Sequence, residues 1–537
     1  GKDGNLIVVG IDDPNLYQLE NFSAWYDLTQ NIKNIEVDFV VDKKDTIVNA
    51  VTEVLSVANV YSLKRNKAEK RFDFEPIIKS KPKSQTELDS LKAVLFDHPF
   101  YNGYLFKDST DATLMAITLD TNVLDSKYRD ALFKKVDDEV ALFEKKTSIE
   151  VHKSGLPYIR ANSTTKVKSE VQLFLILSIL ITSLILYLFF RSFKAMMYSM
   201  LVVCVAVVWS IGIQSLFGYE ITILTGLIPP LIVVIGIPNC IFLLNKYHAE
   251  YRNHGNQIKA LSTVVQKIGN AIFLTNTTTA LGFATFIFTK SSILVEFGVL
   301  AAIDIFVVFV LSILIIPIVF SFLTPPKVRH IKHLENKLMI KLVDLLERIV
   351  KHHRKLVYAI TVVVLGLSIY GISLITTTGN IIDDLPSDDP IVTDLLYFEE
   401  NFSGVMPFEI VIDTKVKNGV FANNGKALYK IQKLQKELAG YDQLSKPLSL
   451  VEAIKFSYQA YKKGRSKFYI LPPATELKKL KRYVQDDSRK NKFAGFIDDE
   501  NRVTRVSFQM ADIGTKEMDE LLTDIQPTID EIFPPKE

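Results

Sequence analysis

Six long apolar runs, one after another, dominate the middle of this chain. The first, VQLFLILSILITSLILYLFF at 171–190, has 20 residues and no charge. At about 1.5 Å per residue, a helix of that length crosses a hydrocarbon layer of about 30 Å. Similar runs follow at 195–217, 221–244, 271–289, 294–323 and 356–375. A water-soluble core is a poor home for so many in series, so the runs predict membrane spans. The connections predict their orientation. RSFK after the first span, 246–270 after the third and 324–355 after the fifth are basic, whereas GYE and TKSS carry little charge. Basic loops stay on the cytoplasmic side. Six crossings then return the chain to the side it left, with 1–168 and 379–537 both opposite the basic loops.

Outside the spans the chain is mixed and polar. NLIVVGI and ATLMAITLD read as strands, and SAWYDLTQNI and KYRDALFKKVDDEVALFEKK as amphipathic helices, giving an α+β region with its own core. The segment 324–355 has apolar residues at helical spacing from Ile331 to Ile349 and reads as an amphipathic helix on the inner membrane face, lysines towards anionic headgroups. Its histidines, His330, His333, His352 and His353, fit a solvated basic face better than a metal site, because no carboxylate or cysteine completes a ligand set. A net charge of +3 makes no case for nucleic acid, and two cysteines, Cys204 and Cys240, exclude a disulfide framework. The chain opens directly into a strand, so its natural N-terminus is expected to lie upstream.

The last region repeats the first. NLIVVGIDD matches PFEIVIDTK (407–415), DTIVNAVTEVLSVANVY (45–61) matches PLSLVEAIKFSYQAY (447–461), and YNGYLFKDSTDATLMAITLD (101–120) matches KFAGFIDDENRVTRVSFQMAD (492–512). The expected order in each copy is strand, helix, helix, then a hairpin-like strand pair. Duplicated transporters are built from such repeats.

Three further stretches carry a family resemblance: 383–413, FFRSFKAMMYSMLVV (189–203) and TNTTTALGFATFIFTKSSILVEFGVLAAI (275–303). With them the chain resembles the resistance-nodulation-division (RND) superfamily, in its MMPL and Patched-like branch. The resemblance implies an α-helical membrane bundle with six spans present and two α+β, βαβ-type (ferredoxin-like) extracytoplasmic domains. It implies a first outer domain at 1–168, sterol-sensing-like spans two to six at 169–323, a cytoplasmic amphipathic helix at 324–355, span seven at 356–378 and a second outer domain at 379–537. Span one and spans eight to twelve of the family plan would lie outside this sequence.

Polar residues inside the spans are the candidate site. In LIVVIGIPNCIFLLNKY (231–247), Gly236, Pro238 and Asn239 interrupt the fourth span of the family plan. Many members resembling this chain carry there, after a glycine, an acid that takes part in proton coupling. This sequence reads Gly236-Ile237-Pro238-Asn239, and an asparagine does not titrate. Asn276, Thr277 and Thr278 are expected at similar depth in span five. Asp304 is expected near mid-membrane in span six, where an aspartate costs about 2.5–3.5 kcal/mol to insert and should face protein or water. One reading makes these groups interhelical glue, at about 0.6 kcal/mol per hydrogen bond. The other makes them an ion-binding or proton-relay patch with Asp304 as the titrating group. Discontinuous, polar-bearing helices line transporter cavities.

No nucleotide-binding loop and no catalytic or metal constellation is visible, so the chain is expected not to be an enzyme and to need no cofactor. The resemblance implies a secondary transporter of the bacterial inner membrane with periplasmic soluble domains. It would export a lipid or other hydrophobic compound using an ion gradient, with homo-oligomer or envelope-protein partners. The alternative is a non-transporting lipid sensor or envelope-complex scaffold.

Overall fold

A computed structural model describes residues 2–534 apart from 42–43, 108–109, 125, 127, 220, 326–336, 376–378, 381–385 and 485–494. The chain forms two compact units, one of residues 1–161 with 376–537 and one of residues 162–375.

In the first α+β region, strands β1 (Leu6–Ile11), β2 (Glu36–Val41), β3 (Lys44–Asn49), β4 (Val51–Leu55), β5 (Tyr61–Asn66), β6 (Arg71–Pro76), β7 (Thr113–Leu119) and β8 (His152–Ser154) alternate with helices α1 (Leu19–Lys33), α2 (Gln85–Phe96), α3 (Thr121–Leu124) and α4 (Arg129–Thr147). The sheet has the order β4-β7-β1-β8, antiparallel throughout. Ile7, Val8, Val9 and Ile11 of β1 are all buried, as a central strand covered on both faces requires. Helix α1 buries Phe22, Trp25, Leu28 and Ile32, a stripe at helical spacing. The Trp25 indole donates to Ser56 Oγ at 3.0 Å, which satisfies its one polar atom.

The bundle contains α5 (Leu156–Phe190), α6 (Phe193–Leu216), α7 (Ile223–Gly226), α8 (Ile228–His254), α9 (Gln257–Ala284), α10 (Ser292–Phe322), α11 (Lys337–His352) and α12 (Arg354–Ser373). Among the described residues, six helices are long and apolar enough to cross a membrane. Their ends follow local chemistry. The Ser192 side chain caps α6 by accepting from Ala195 N, the Asn256 side chain caps α9, and Gly255, at φ +62°, stops α8. Gln257 Nε2 donates to the carbonyls of Phe320 and Leu323, tying off the end of α10. No residue of α12 is buried. Of the amphipathic segment expected at 324–355, Lys337–His352 is helical; His330 and His333 lie outside the described residues, and His352 and His353 are exposed. Among the described residues no three His, Cys, Asp or Glu side chains gather as a metal site would need.

In the second α+β region, helices α13 (Pro390–Phe402), α14 (Lys426–Leu438), α15 (Leu450–Tyr461), α16 (Ala474–Val484) and α17 (Gly514–Ile532) accompany strands β9 (Met406–Asp413), β10 (Leu448–Ser449) and β11 (Val503–Met510). Its sheet order is β10-β11-β9. With β1, β4 and β7 matched to β9, β10 and β11, this is the order of the first sheet. The hairpin-like element recurs too, as the bridges Phe106↔Thr113 and Ile497↔Thr504. One expectation fails. Residues 45–61 are not helical but form β3, β4 and a turn, while 450–461 is the helix α15. Thr46, Ile47, Val48, Val51, Thr52 and Val54 are β-branched and favour strand, whereas the later copy is rich in straight-chain and alanine residues.

The two α+β regions also exchange elements. Tyr397, Phe398 and Phe402 of α13 belong to the core under β1 and α1, and Phe72 of β6 belongs to the core of the second sheet. Gly10 makes room for α13: a Cβ there would stand 2.6 Å from Tyr397 and 2.9 Å from Phe398. The Arg65 guanidinium lies 3.9 Å over the Tyr461 ring and donates to the Tyr483 hydroxyl at 2.8 Å. The Lys446 ammonium donates to three carbonyls of the first region, Pro99 at 2.7 Å, Phe100 at 3.1 Å and Asn102 at 2.9 Å.

Candidate functional site

The most buried polar groups of the bundle lie where α6, α8 and α10 meet. Asp304 of α10 is 1 % exposed, and its Oδ2 accepts a 2.5 Å hydrogen bond from the Ser210 hydroxyl of α6. Its Oδ1 has no hydrogen-bond partner among the described residues. A carboxylate out of water with one oxygen unmet is costly unless something else meets it: a proton, a cation or water. Asp304, Val308 and Ser312 are spaced i, i+4, i+8 on one face of α10. Facing them, Gly236 of α8 lets the helices close up, since a Cβ there would be 3.1 Å from Val203 and 3.3 Å from Val308. One turn on, the Cys240 thiol lies 4.0 Å from the Ser199 carbonyl oxygen, and both residues are fully buried. Ser312 returns its hydroxyl to the Val308 carbonyl at 2.7 Å. Small and hydroxyl-bearing residues thus line this seam, as close helix packing in a bilayer favours.

A second polar pair joins α8 to α9. Asn239 Nδ2 donates to Asn276 Oδ1 at 3.4 Å, and Asn276 Nδ2 donates back to Asn239 Oδ1 at 3.2 Å. Asn276 Nδ2 also reaches the Ile272 carbonyl at 2.8 Å. Both asparagines are buried. Pro238 lies inside α8, which continues through it.

The sequence-level candidates therefore sort into two groups rather than one relay. Asp304 is bonded to Ser210 and not to an asparagine or threonine. Thr277 and Thr278 close onto their own helix, at the Phe273 and Thr275 carbonyls; Thr277 is half-buried and Thr278 exposed, so neither enters the seam. Ser210 was not among the residues singled out from the sequence. Its signal was a serine and a glutamine four apart, Ser210 and Gln214, on one face of a mainly apolar span, and both prove buried.

Comparison with known proteins then bears on the whole chain. A family model described as the MMPL family matches residues 40–344, more than half of the sequence. The chain belongs to the MMPL family. At the family level, MMPL proteins are RND-like transporters of hydrophobic compounds. A similar protein of Methanocaldococcus jannaschii, MJ1562, is named as a membrane protein and is 26% identical over 169 residues, or 32% of this chain. The match spans 44% of that relative's length. MMPL membership and the six apolar helices make this a multi-pass membrane protein.

Proposed function

We propose that this MMPL chain forms part of a secondary transporter that exports a lipid or other hydrophobic compound, with proton exchange at Asp304 as the coupling step. The observation that carries this reading is the half-satisfied Asp304 carboxylate inside the bundle. A group that can take up and release a proton, held by one serine on a neighbouring helix, gives two states of the α6–α10 seam that a proton gradient can bias. In this reading the basic loops face the cytoplasm of a bacterial cell, and both α+β regions are periplasmic and ferredoxin-like. The antiparallel order β4-β7-β1-β8 around α1 and α4 supports that assignment. Asn239, Pro238, Asn276, Thr277 and Thr278 then shape the α8–α9 side of the bundle without titrating, and Gly236 sets the close approach of α8 to Val203 and Val308 beside Asp304.

One observation favours a second reading, a lipid sensor or envelope scaffold that does not transport. Where family members carry an acid, this chain has Asn239 in a reciprocal amide pair with Asn276, neither of which titrates.

The test uses the full-length protein in proteoliposomes with an imposed pH gradient and a fluorescent lipid as cargo. Asp304→Asn should abolish gradient-dependent movement while expression and insertion stay normal. Undiminished transport in Asp304→Asn would remove the coupling role. No transport in wild type, with lipid binding retained, would favour the sensor.

A further inference from the structure

We propose that the groove between the start of α6 and the end of α10 is a binding site for an anionic phospholipid of the leaflet on the side of the basic loops. The groove has a volume of about 430 Å³, within the usual range for sites that hold a small molecule or part of a lipid. Each helix contributes residues four apart, hence on one face. Lys194 and Tyr198 come from α6, Ile318 and Phe322 from α10; Val319 of α10 and Leu323 and Thr324 just past its end complete the lining. Ile318 is 56 % and Phe322 89 % exposed, so the apolar wall is open from the side.

Chemistry is graded along the groove. Lys194 is the second residue of α6, beside Arg191 in the preceding turn, and both are exposed. No acidic side chain lines the groove among the described residues. Neither the Lys194 ammonium nor the Tyr198 hydroxyl has a hydrogen-bond or ion-pair partner among the described residues. Tyr198 sits one turn deeper, by about 6 Å of helix rise, and its ring is fixed edge-on to Phe320 at 6.4 Å. A phosphate diester suits the cationic mouth, an ester carbonyl suits the Tyr198 hydroxyl, and an acyl chain suits the wall of α10. Water or a free anion would use the mouth and leave the wall bare. A neutral hydrophobe would use the wall and leave Lys194 unmatched. A membrane phospholipid matches both, and both helices that form the site are membrane spans, so this ligand is always within reach. The proposal does not rest on Asp304 or on transport.

The experiment reconstitutes the full-length protein in nanodiscs of mixed phosphatidylglycerol and phosphatidylcholine, then reads lipids retained after extraction by native mass spectrometry. Wild type should retain phosphatidylglycerol in preference, saturably, and millimolar inorganic phosphate should not displace it. Lys194→Ala should cut that preference about fivefold, the change expected of one basic residue at an anionic surface. Tyr198→Phe keeps the ring packing and should weaken retention of both lipids, leaving the preference intact. Lys290→Ala, the same charge change in the short connection before α10, should match wild type. Absence of a headgroup preference, unsaturable retention, displacement by phosphate, or an equal loss in Lys290→Ala would each overturn the site.

Discussion

Ser210 and Asp304 are joined by a 2.5 Å hydrogen bond that crosses from α6 to α10 inside the bundle. The bond uses one carboxyl oxygen and leaves the other unmet by the described residues. Ser210→Ala should therefore destabilise the bundle by about 1–2 kcal/mol, because it leaves a buried carboxyl with neither oxygen satisfied. Asp304→Asn keeps an acceptor for Ser210 and should be the milder change in thermal unfolding in detergent, although it is the more harmful for transport. Equal melting losses in the two variants would mean that Ser210 contributes packing alone.

His152 and Asp394 link β8 to α13 at 2.8 Å, with the imidazole stacked on Tyr397 at 4.1 Å between ring centres. Burial opposes the imidazolium, but the Asp394 hydrogen bond and charge, aided by Glu150 and Asp12, outweigh it and raise the His152 pKa. A raised folded-state value stabilises the α+β unit below the unfolded value of about 6.5, and the contribution is lost as pH rises through the folded value. Urea midpoints should fall over that window. Asp394→Asn should flatten the profile, and an unchanged slope in that variant would assign the effect to another group.

Lys446 fills a cage of three carbonyls from Pro99, Phe100 and Asn102. Lys446→Met preserves the length of the chain but not its donors. It should cost about 1.5–3 kcal/mol, the range for hydrogen bonds to a charged group. Hydrogen exchange at 99–104 and at 446–449 should speed up together, since the ammonium holds both segments. Acceleration confined to 446–449 would show that the cage is held by its own backbone.

Gly10 lies under Tyr397 and Phe398. Gly10→Val would force those rings off β1, at about 1–3 kcal/mol for overpacking. The expected readout is faster proteolysis within 390–402, with β1 itself still protected. A shortened α13 side chain should compensate, so Gly10→Val with Phe398→Leu should recover part of the loss.

The spans were legible because length and apolarity are local properties that need no partner. Even so, α5 begins at Leu156 rather than at 171: Pro157 falls in its first turn, where a missing N–H costs nothing, and the helix runs on through charged residues that the span itself excludes. That the two sheets share one strand order was legible through the repeat, although the order itself was not; residues 51–55 follow their own β-branched composition and not the helix of their copy. The Ser210–Asp304 bond was not legible: the two residues are 94 apart in sequence, and one apolar face of a span looks like any other until the neighbouring helix is placed. The same limit hid α13, whose aromatic stripe announces an amphipathic helix but not which core receives it.

The exchange of α13 and the β5–β6 hairpin between the two α+β regions sets an order of assembly. When the ribosome has delivered β1 to β8, the core under β1 still lacks Tyr397, Phe398 and Phe402, which follow only after α5 to α12 have been synthesised. The early region must persist with an apolar surface uncovered while six helices enter the bilayer. Closing that gap joins chain segments very distant in sequence, a slow kind of contact to form. The biosynthetic hazard of this protein thus falls outside the membrane, in the interval before α13 arrives. That interval, more than insertion of the spans, is when a chaperone would be needed and when a destabilising substitution such as Gly10→Val would send the chain to degradation.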